Sequence, residues 1–331
     1  MDRRTLLRSA AATAAGAPFA SLALPADAHA ADTYHVAVCE QAANEILIHP
    51  VNKPWTPANR IWRWSPPVAI DENGRNTWRH LSDIRFRDTS AFGWVALVAA
   101  SEGKVGIVDM PNEDPAGALL WSARPYGKPH AIERIPGTGA VVTASSGRSD
   151  RVDWPGFLTV YGPTDVNDPG SLRRVQEIRF QGAHGLWYDG RHLWALGTWT
   201  LAKYRVAGDH LDTRLELVWQ HSWSERPYNG HSLDTDYGNS AYLLITGGGI
   251  VQRVHKATGL IQEWNPTGVG VKSYARVASG NSFWVQASEQ WWSKYVQFFD
   301  NAGNPSFRRH LEGYGREARF YKARVSSVAF A

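Results

Sequence analysis

From Tyr34 onward, apolar and polar positions alternate in short runs separated by turns, and almost nowhere at helical spacing. Runs at 35–39, 45–49 and 60–64 read as three strands, and those at 83–87, 93–98, 104–108 and 118–121 as a four-stranded unit. Three further units open on a histidine: Pro129-His130-Ala131, Ala183-His184-Gly185 and Gly230-His231-Ser232. After each histidine come a turn and a strongly apolar run, at 140–144, 192–196 and 241–245, and the units close near 180, 219 and 264. A last unit opens at Lys272 and ends near Phe307.

The tail string Tyr321-Lys322-Ala323-Arg324-Val325 repeats the opening strand Ser273-Tyr274-Ala275-Arg276-Val277, yet no unit follows it. The N-terminal unit has three strands and lacks an opening one. The two incomplete ends complete each other. The pattern therefore predicts an all-β chain over 31–331, a six-bladed β-propeller closed by the C-terminal strand joining the N-terminal blade. A seventh blade would have to be hidden within 111–119 or 145–156.

Composition agrees with many short strands: 30 glycines, 18 prolines and 12% aromatic residues, with 43% hydrophobic residues for a core. Sixteen tryptophans are well above ordinary usage, and exposed ones suit flat, partly apolar ligands such as sugar rings. Residues 1–30 read as a twin-arginine-type signal peptide: Arg3-Arg4, an alanine-rich stretch, and Ala28-His29-Ala30 as a small-x-small cleavage site. The apolar part is too short, and too interrupted by Pro18 and Pro25, for a membrane anchor. The expectation is a protein exported by the twin-arginine route, secreted or otherwise extracytoplasmic, monomeric, and free of the membrane after cleavage. Removing 1–30 takes away three arginines and two aspartates, so the formal net charge falls from +4 to +3, too mild for nucleic acid. The single cysteine, Cys39, excludes an intramolecular disulfide and ends an apolar strand, where it reads as a small buried side chain.

In a propeller the innermost strand of every blade starts near one mouth of the central channel. Counting back from each second strand aligns Asp83, His130, His184, His231, Lys272 and Lys322 at that mouth. Three imidazoles beside two lysines cannot all be protonated comfortably. Either neutral histidines His130, His184 and His231 hold a divalent metal with an open position, or an anionic ligand satisfies Lys272, Lys322, Arg276 and Arg324.

Through the repeated His-Ala, His-Gly and His-Ser openings and the Tyr-Lys-Ala-Arg-Val tail, the chain resembles an uncharacterised family of exported bacterial six-bladed propellers. The site plan is similar to that of propeller polysaccharide lyases of the oligogalacturonate lyase type, in which a histidine-rich cluster holds a divalent metal. Only the histidine character carries over, to His130, His184 and His231. The resemblance implies β-elimination on a uronate-containing glycan, an acidic oligo- or polysaccharide as partner, one divalent metal (Mn, Zn or Ca) and no organic cofactor. The chemistry needs a neutralised carboxylate, a base and an acid. Lys272 or an unligated histidine is the expected base, Tyr188, Tyr228 or Tyr274 the acid, and Asp83, Arg276, Lys322, Arg324, Trp199, Trp291 and Trp292 the substrate contacts. A glycoside hydrolase would instead pair carboxylates, with Asp83, Glu40, Glu102 and Glu289 as candidates. A third class is a non-catalytic propeller that binds glycan or protein.

Overall fold

The computed structural model describes residues 34–90, 92–110, 117–147, 155–224, 228–287 and 290–326. Residues 1–30, expected to be a signal peptide, Glu289, and residues 111–116 and 148–154 of the two long loops lie outside the described residues. Among the described residues there are six four-stranded antiparallel sheets, each a blade, as the strand pattern predicts. Their innermost strands run Leu81–Thr89, Lys128–Arg134, Gly185–Tyr188, Ser232–Thr235, Val271–Arg276 and Phe320–Val325, each packed against the next around the ring. Numbering the blades in chain order, blade 1 holds the N-terminal strands, and its innermost strand is Phe320–Val325.

Alternation along each strand sends successive side chains to opposite faces, so each blade is apolar on both sides and needs a neighbour on each. Six apolar clusters of described residues meet this need, each filling one gap between adjacent blades. Trp55, Phe283, Phe298 and Phe320 join blade 6 to blade 1, for example, and Trp64, Trp78, Ile84 and Phe86 join blade 1 to blade 2.

The ring is closed without a covalent link. Strand Phe320–Val325 pairs antiparallel with His35–Glu40, matching Val36 with Val325, Ala37 with Arg324 and Val38 with Ala323. No open sheet edge remains where the ring meets itself. Cys39 is buried in this blade, and burial, reinforced by the nearby Asp83 carboxylate, pushes its thiol up, which suits a packing role.

Phe320 is fully buried, its ring set edge-on to Trp55 across the closure. Phe320→Ala should cost about 3–5 kcal/mol, read as a lower urea midpoint, whereas Phe307→Ala on the exposed outermost strand should cost far less.

Candidate functional site

Four side chains from four consecutive blades meet at one mouth of the channel. The His130 and His184 rings are stacked, with centroids 4.0 Å apart and planes 11° from parallel. His231 meets His184 edge to face at 5.4 Å, and Lys272 Nζ lies 3.1 Å from His231 Nε2. The backbone brings them there by simple means. The N–H groups of His184 and His231 each extend the pairing of their innermost strand, donating to Leu196 O and Thr246 O. Gly230 allows blades 4 and 5 to approach, since a Cβ there would stand 2.4 Å from Leu196 Cγ and 2.7 Å from Gly197 O.

Burial, with the neighbouring imidazoles and ammonium groups, holds His130 and His231 well below the ordinary histidine range. Burial likewise brings His184 down to about 3. All three are therefore neutral at pH 7. Tautomers follow from their partners. His184 Nδ1–H donates to Gly182 O at 2.8 Å, which leaves Nε2 as the basic nitrogen. The Lys272 ammonium donates to His231 Nε2, which puts the proton on Nδ1, a buried N–H with no partner among the described residues. Tyr321 Oη lies 3.3 Å from His130 Nδ1.

Behind the rings the channel is filled by ions. Lys322 donates to the carbonyls of His130 (2.7 Å) and His184 (3.3 Å), and burial lowers its ammonium to about 7. Arg324 bonds Asp83 through Nε and Nη2 (3.2 and 2.9 Å), and Asp234 and Ser232 through Nη1 (2.9 and 2.7 Å). Arg85 reaches Leu186 O, Leu233 O and, at 3.5 Å, Asp234. Arg87 makes a two-pronged bond to Glu133 (2.9 and 2.6 Å), and Trp187 lies under both of these arginines. The pocket bordered by Arg85, Arg87, Asp234 and Arg324 has a volume of only about 10 Å³, room for no more than a water molecule.

This arrangement sorts the residues singled out from the sequence. His130, His184, His231 and Lys272 come together. Asp83, Lys322 and Arg324 belong to the filled channel, where they are fully or almost fully buried and serve one another. The alignment of Asp83 with the histidines is corrected: a bulge between Leu81 and Asp83 shifts the register, and Asp83 shares Arg324 with Asp234. Arg276 sits four residues along its strand from Lys272, about 13 Å, and pairs with Asp236 at 3.0 Å. The tyrosines point elsewhere. Tyr188 Oη donates to Gly190 O, Tyr228 Oη sits 3.2 Å from both Ile245 O and Ile250 O, and Tyr274 Oη is 3.3 Å from Trp264 Nε1 and 3.4 Å from Asn265 O. Trp292 is 9% exposed under Arg319, Trp199 is half-buried, and Trp291 is 43% exposed. Of the hydrolase carboxylates, Glu40 is buried on Arg316, Glu102 faces His80 and Asp83 is in the channel, so no facing pair reaches the histidines among the described residues.

The three imidazoles do not converge on one ion. A ligand lone pair lies in its ring plane, and the His130 and His184 rings are stacked nearly parallel with centroids 4.0 Å apart, so both rings cannot aim at one ion about 2.1 Å away. Consistently, no group of three or more His, Cys, Asp or Glu side chains among the described residues is arranged to hold a metal. The cluster as it stands does not fit the metal.

Sequence reasoning missed Tyr321 and His80. A usable signal exists: His80-Leu81-Ser82-Asp83 has the spacing of His231-Ser232-Leu233-Asp234, and the third residue on from His130 and His184 is Glu133 or Trp187, both against the channel arginines.

No family model and no curated protein matches the chain. Among solved structures, a protein of unknown function from Bacteroides caccae aligns at TM-score 0.54 and 12% identity, over 88% of this chain and 98% of its own. A putative 6-phosphogluconolactonase from Bacteroides fragilis aligns at TM-score 0.51 and 15% identity, over 86% and 83%. A chain of a mitotic checkpoint complex does so at TM-score 0.51 and 11% identity, over 84% and 75%. At these identities the likeness is one of fold alone, and it bears on neither export nor lyase activity.

The buried histidines make a pH prediction. Unfolded histidine takes up a proton near pH 6.5, whereas folded His184 does so only near 3, so the unfolded state binds more protons below 6.5 and stability falls as pH falls through that window. By pH 5 the loss from His184 should reach about 1–2 kcal/mol. His184→Gln should flatten this acid slope in urea unfolding between pH 6.5 and 4; an unchanged slope would refute the neutral, buried assignment.

Proposed function

We propose that this propeller is a polysaccharide lyase that binds an acidic sugar at the histidine mouth and cleaves a uronate-containing glycan by β-elimination. The observation that carries the reading is the pair formed by Lys272 and His231. It offers an ammonium resting on a neutral imidazole, among neutral rings, with no carboxylate against it among the described residues. Such a site suits a carboxylate, whose charge would also relieve the burial cost of Lys272.

In this reading the Lys272 ammonium neutralises the substrate carboxylate and so acidifies the proton on the adjacent carbon, C5. His184 Nε2 takes that proton while its Nδ1–H stays on the Gly182 carbonyl. The C5–H pair becomes the C4–C5 double bond, the C4–O bond breaks, and the His184 imidazolium returns its proton to the leaving oxygen. One imidazole then acts as base and acid in turn, and none of the distant tyrosines is required. The arriving carboxylate raises the His184 pKa from its low resting value, which makes the imidazole basic only when substrate is present. The reading includes export by the twin-arginine route and action outside the cytoplasm. Among the described residues no helix is long and apolar enough to cross a membrane.

A single divalent metal (Mn, Zn or Ca) is a second reading, favoured by one observation: a histidine with Nδ1–H on a backbone carbonyl and Nε2 free is oriented as metal ligands commonly are. It requires one ring of the His130–His184 stack to turn away.

Incubation with polygalacturonate, alginate and other uronate polymers should give the ultraviolet absorbance of unsaturated uronate ends. His184→Ala should lower turnover by roughly 10²–10⁴-fold, and Lys272→Met should raise KM most. Absorbance-free release of reducing ends would favour a hydrolase, and binding without product a glycan-binding module. Release of acid from an anionic sugar lactone would instead match the name of the Bacteroides fragilis neighbour. Stoichiometric metal in the purified protein, lost in His184→Ala, would carry the second reading.

A further inference from the structure

Trp291 presents a large apolar face to solvent, yet it is held in place by three blades. It lies in the blade 6 loop after strand Ser282–Gln286, and its indole N–H donates to Gln41 Oε1 at 3.0 Å. Gln41 belongs to the blade 1 hairpin and is itself fixed twice: its amide donates to Leu81 O (2.9 Å), and its backbone N–H to Arg319 O (2.8 Å). The His80 ring, just before the innermost strand of blade 2, stands edge-on to the indole at 6.0 Å and 75°. His80 Nδ1 lies 3.0 Å from Glu102 Oε1, and its carbonyl accepts from the Ser101 N–H. His80 also takes φ +58°, in the left-handed region that a residue with a side chain rarely adopts. Holding an exposed indole in this way confers nothing on the fold's core, whereas it pre-forms a stacking platform.

The platform belongs to the same mouth as the histidines. Two residues beyond Trp291, Ser293 exchanges both backbone hydrogen bonds with Phe320 (2.9 and 2.8 Å), and Phe320 stands two residues before Lys322, which donates to the carbonyls of His130 and His184. Each two-residue step of extended chain spans about 7 Å. Trp291 therefore lies on the rim over blades 1, 2 and 6, and the histidines lie across blades 3 to 5. That separation suits successive sugars of a short chain and exceeds the reach of one ring.

Resting on the uronate reading of the mouth, we infer that Trp291, framed by Gln41, His80 and Glu102, is a distal sugar-binding subsite. It stacks a pyranose ring of the glycan away from the reacting bond and makes the protein select oligomers over short fragments. The indole supplies the apolar face, while the partly exposed His80 and Glu102 side chains supply polar partners for ring hydroxyls. A carboxylate beside the platform disfavours an acidic group there, so the stacked ring presents hydroxyls to Glu102 and turns its own carboxylate away.

The experiment is calorimetric titration with galacturonate dimers and hexamers. Trp291→Ala should weaken hexamer binding about tenfold, the scale of one stacked ring, and leave the dimer unchanged. Trp291→Phe should retain most of the hexamer affinity, which separates stacking from misfolding. Gln41→Ala, which frees the indole, should fall between. Lys272→Met should weaken both lengths. If Trp291→Ala binds the hexamer like wild type while Lys272→Met still weakens both, the distal subsite is overturned and the uronate site stands. If wild type binds neither length, in galacturonate or in alginate oligomers, both fall.

Discussion

Everything in this molecule depends on the buried ion pairing in its channel, above all on Arg324 lying between Asp83 and Asp234. Charges in such a place are costly unless matched, and removing one partner leaves another stranded. Burial pushes the Asp83 carboxyl up, yet Arg324, Lys322 and Arg85 together more than offset it and hold Asp83 below its usual range. The same residues draw on the innermost strands of blades 1, 2 and 5 at once. The network thus fixes where those strands stand relative to one another more tightly than apolar packing between neighbouring blades alone could.

The mouth inherits its chemistry from this filling. Lys322 reaches up from the network to the carbonyls of His130 and His184, so the rings rest on a floor of donors. With cations behind and Lys272 beside them, the imidazoles stay neutral, and neutral rings are able to stack. An electropositive cluster of uncharged bases is the outcome, with Asp83 and Asp234 lying in the channel and Glu102 against His80.

Much of this was legible in the chain. Strand alternation and the unmatched tail strand were enough for six blades and their closure, because both depend on period and count. The mouth histidines were legible because one residue type recurs at one position. Asp83 was misplaced by one residue: Ser82 is the bulged residue of its strand, as His130 and Lys272 are of theirs, and the hydrophobic pattern does not show which residue of a strand is bulged. Tyr274 was misread for a related reason. It stands two residues from Lys272 and would share its face in a regular strand, but the register shifts between Val271 and Ser273, and Tyr274 turns into the gap between blades 5 and 6. Tyr321 was overlooked because it alternates with Lys322, away from the channel, and touches His130 only across the blade edge. His80 needed the offset of three residues between a mouth position and a channel position, a pattern that emerges only when Asp83 is set beside Asp234.

The strand Phe320–Val325 carries a consequence for assembly. It is at once the piece that shuts the ring and the piece that brings Lys322 and Arg324 to Asp83 and Asp234. A ring lacking it is both open at one blade and short of the cations that balance its buried carboxylates. Geometric closure and charge balance are therefore a single event. Without it the channel would hold the Asp83, Asp234 and Glu133 carboxylates against Arg85 and Arg87 alone, one positive charge short of balance. The ring authenticates its own last strand by charge.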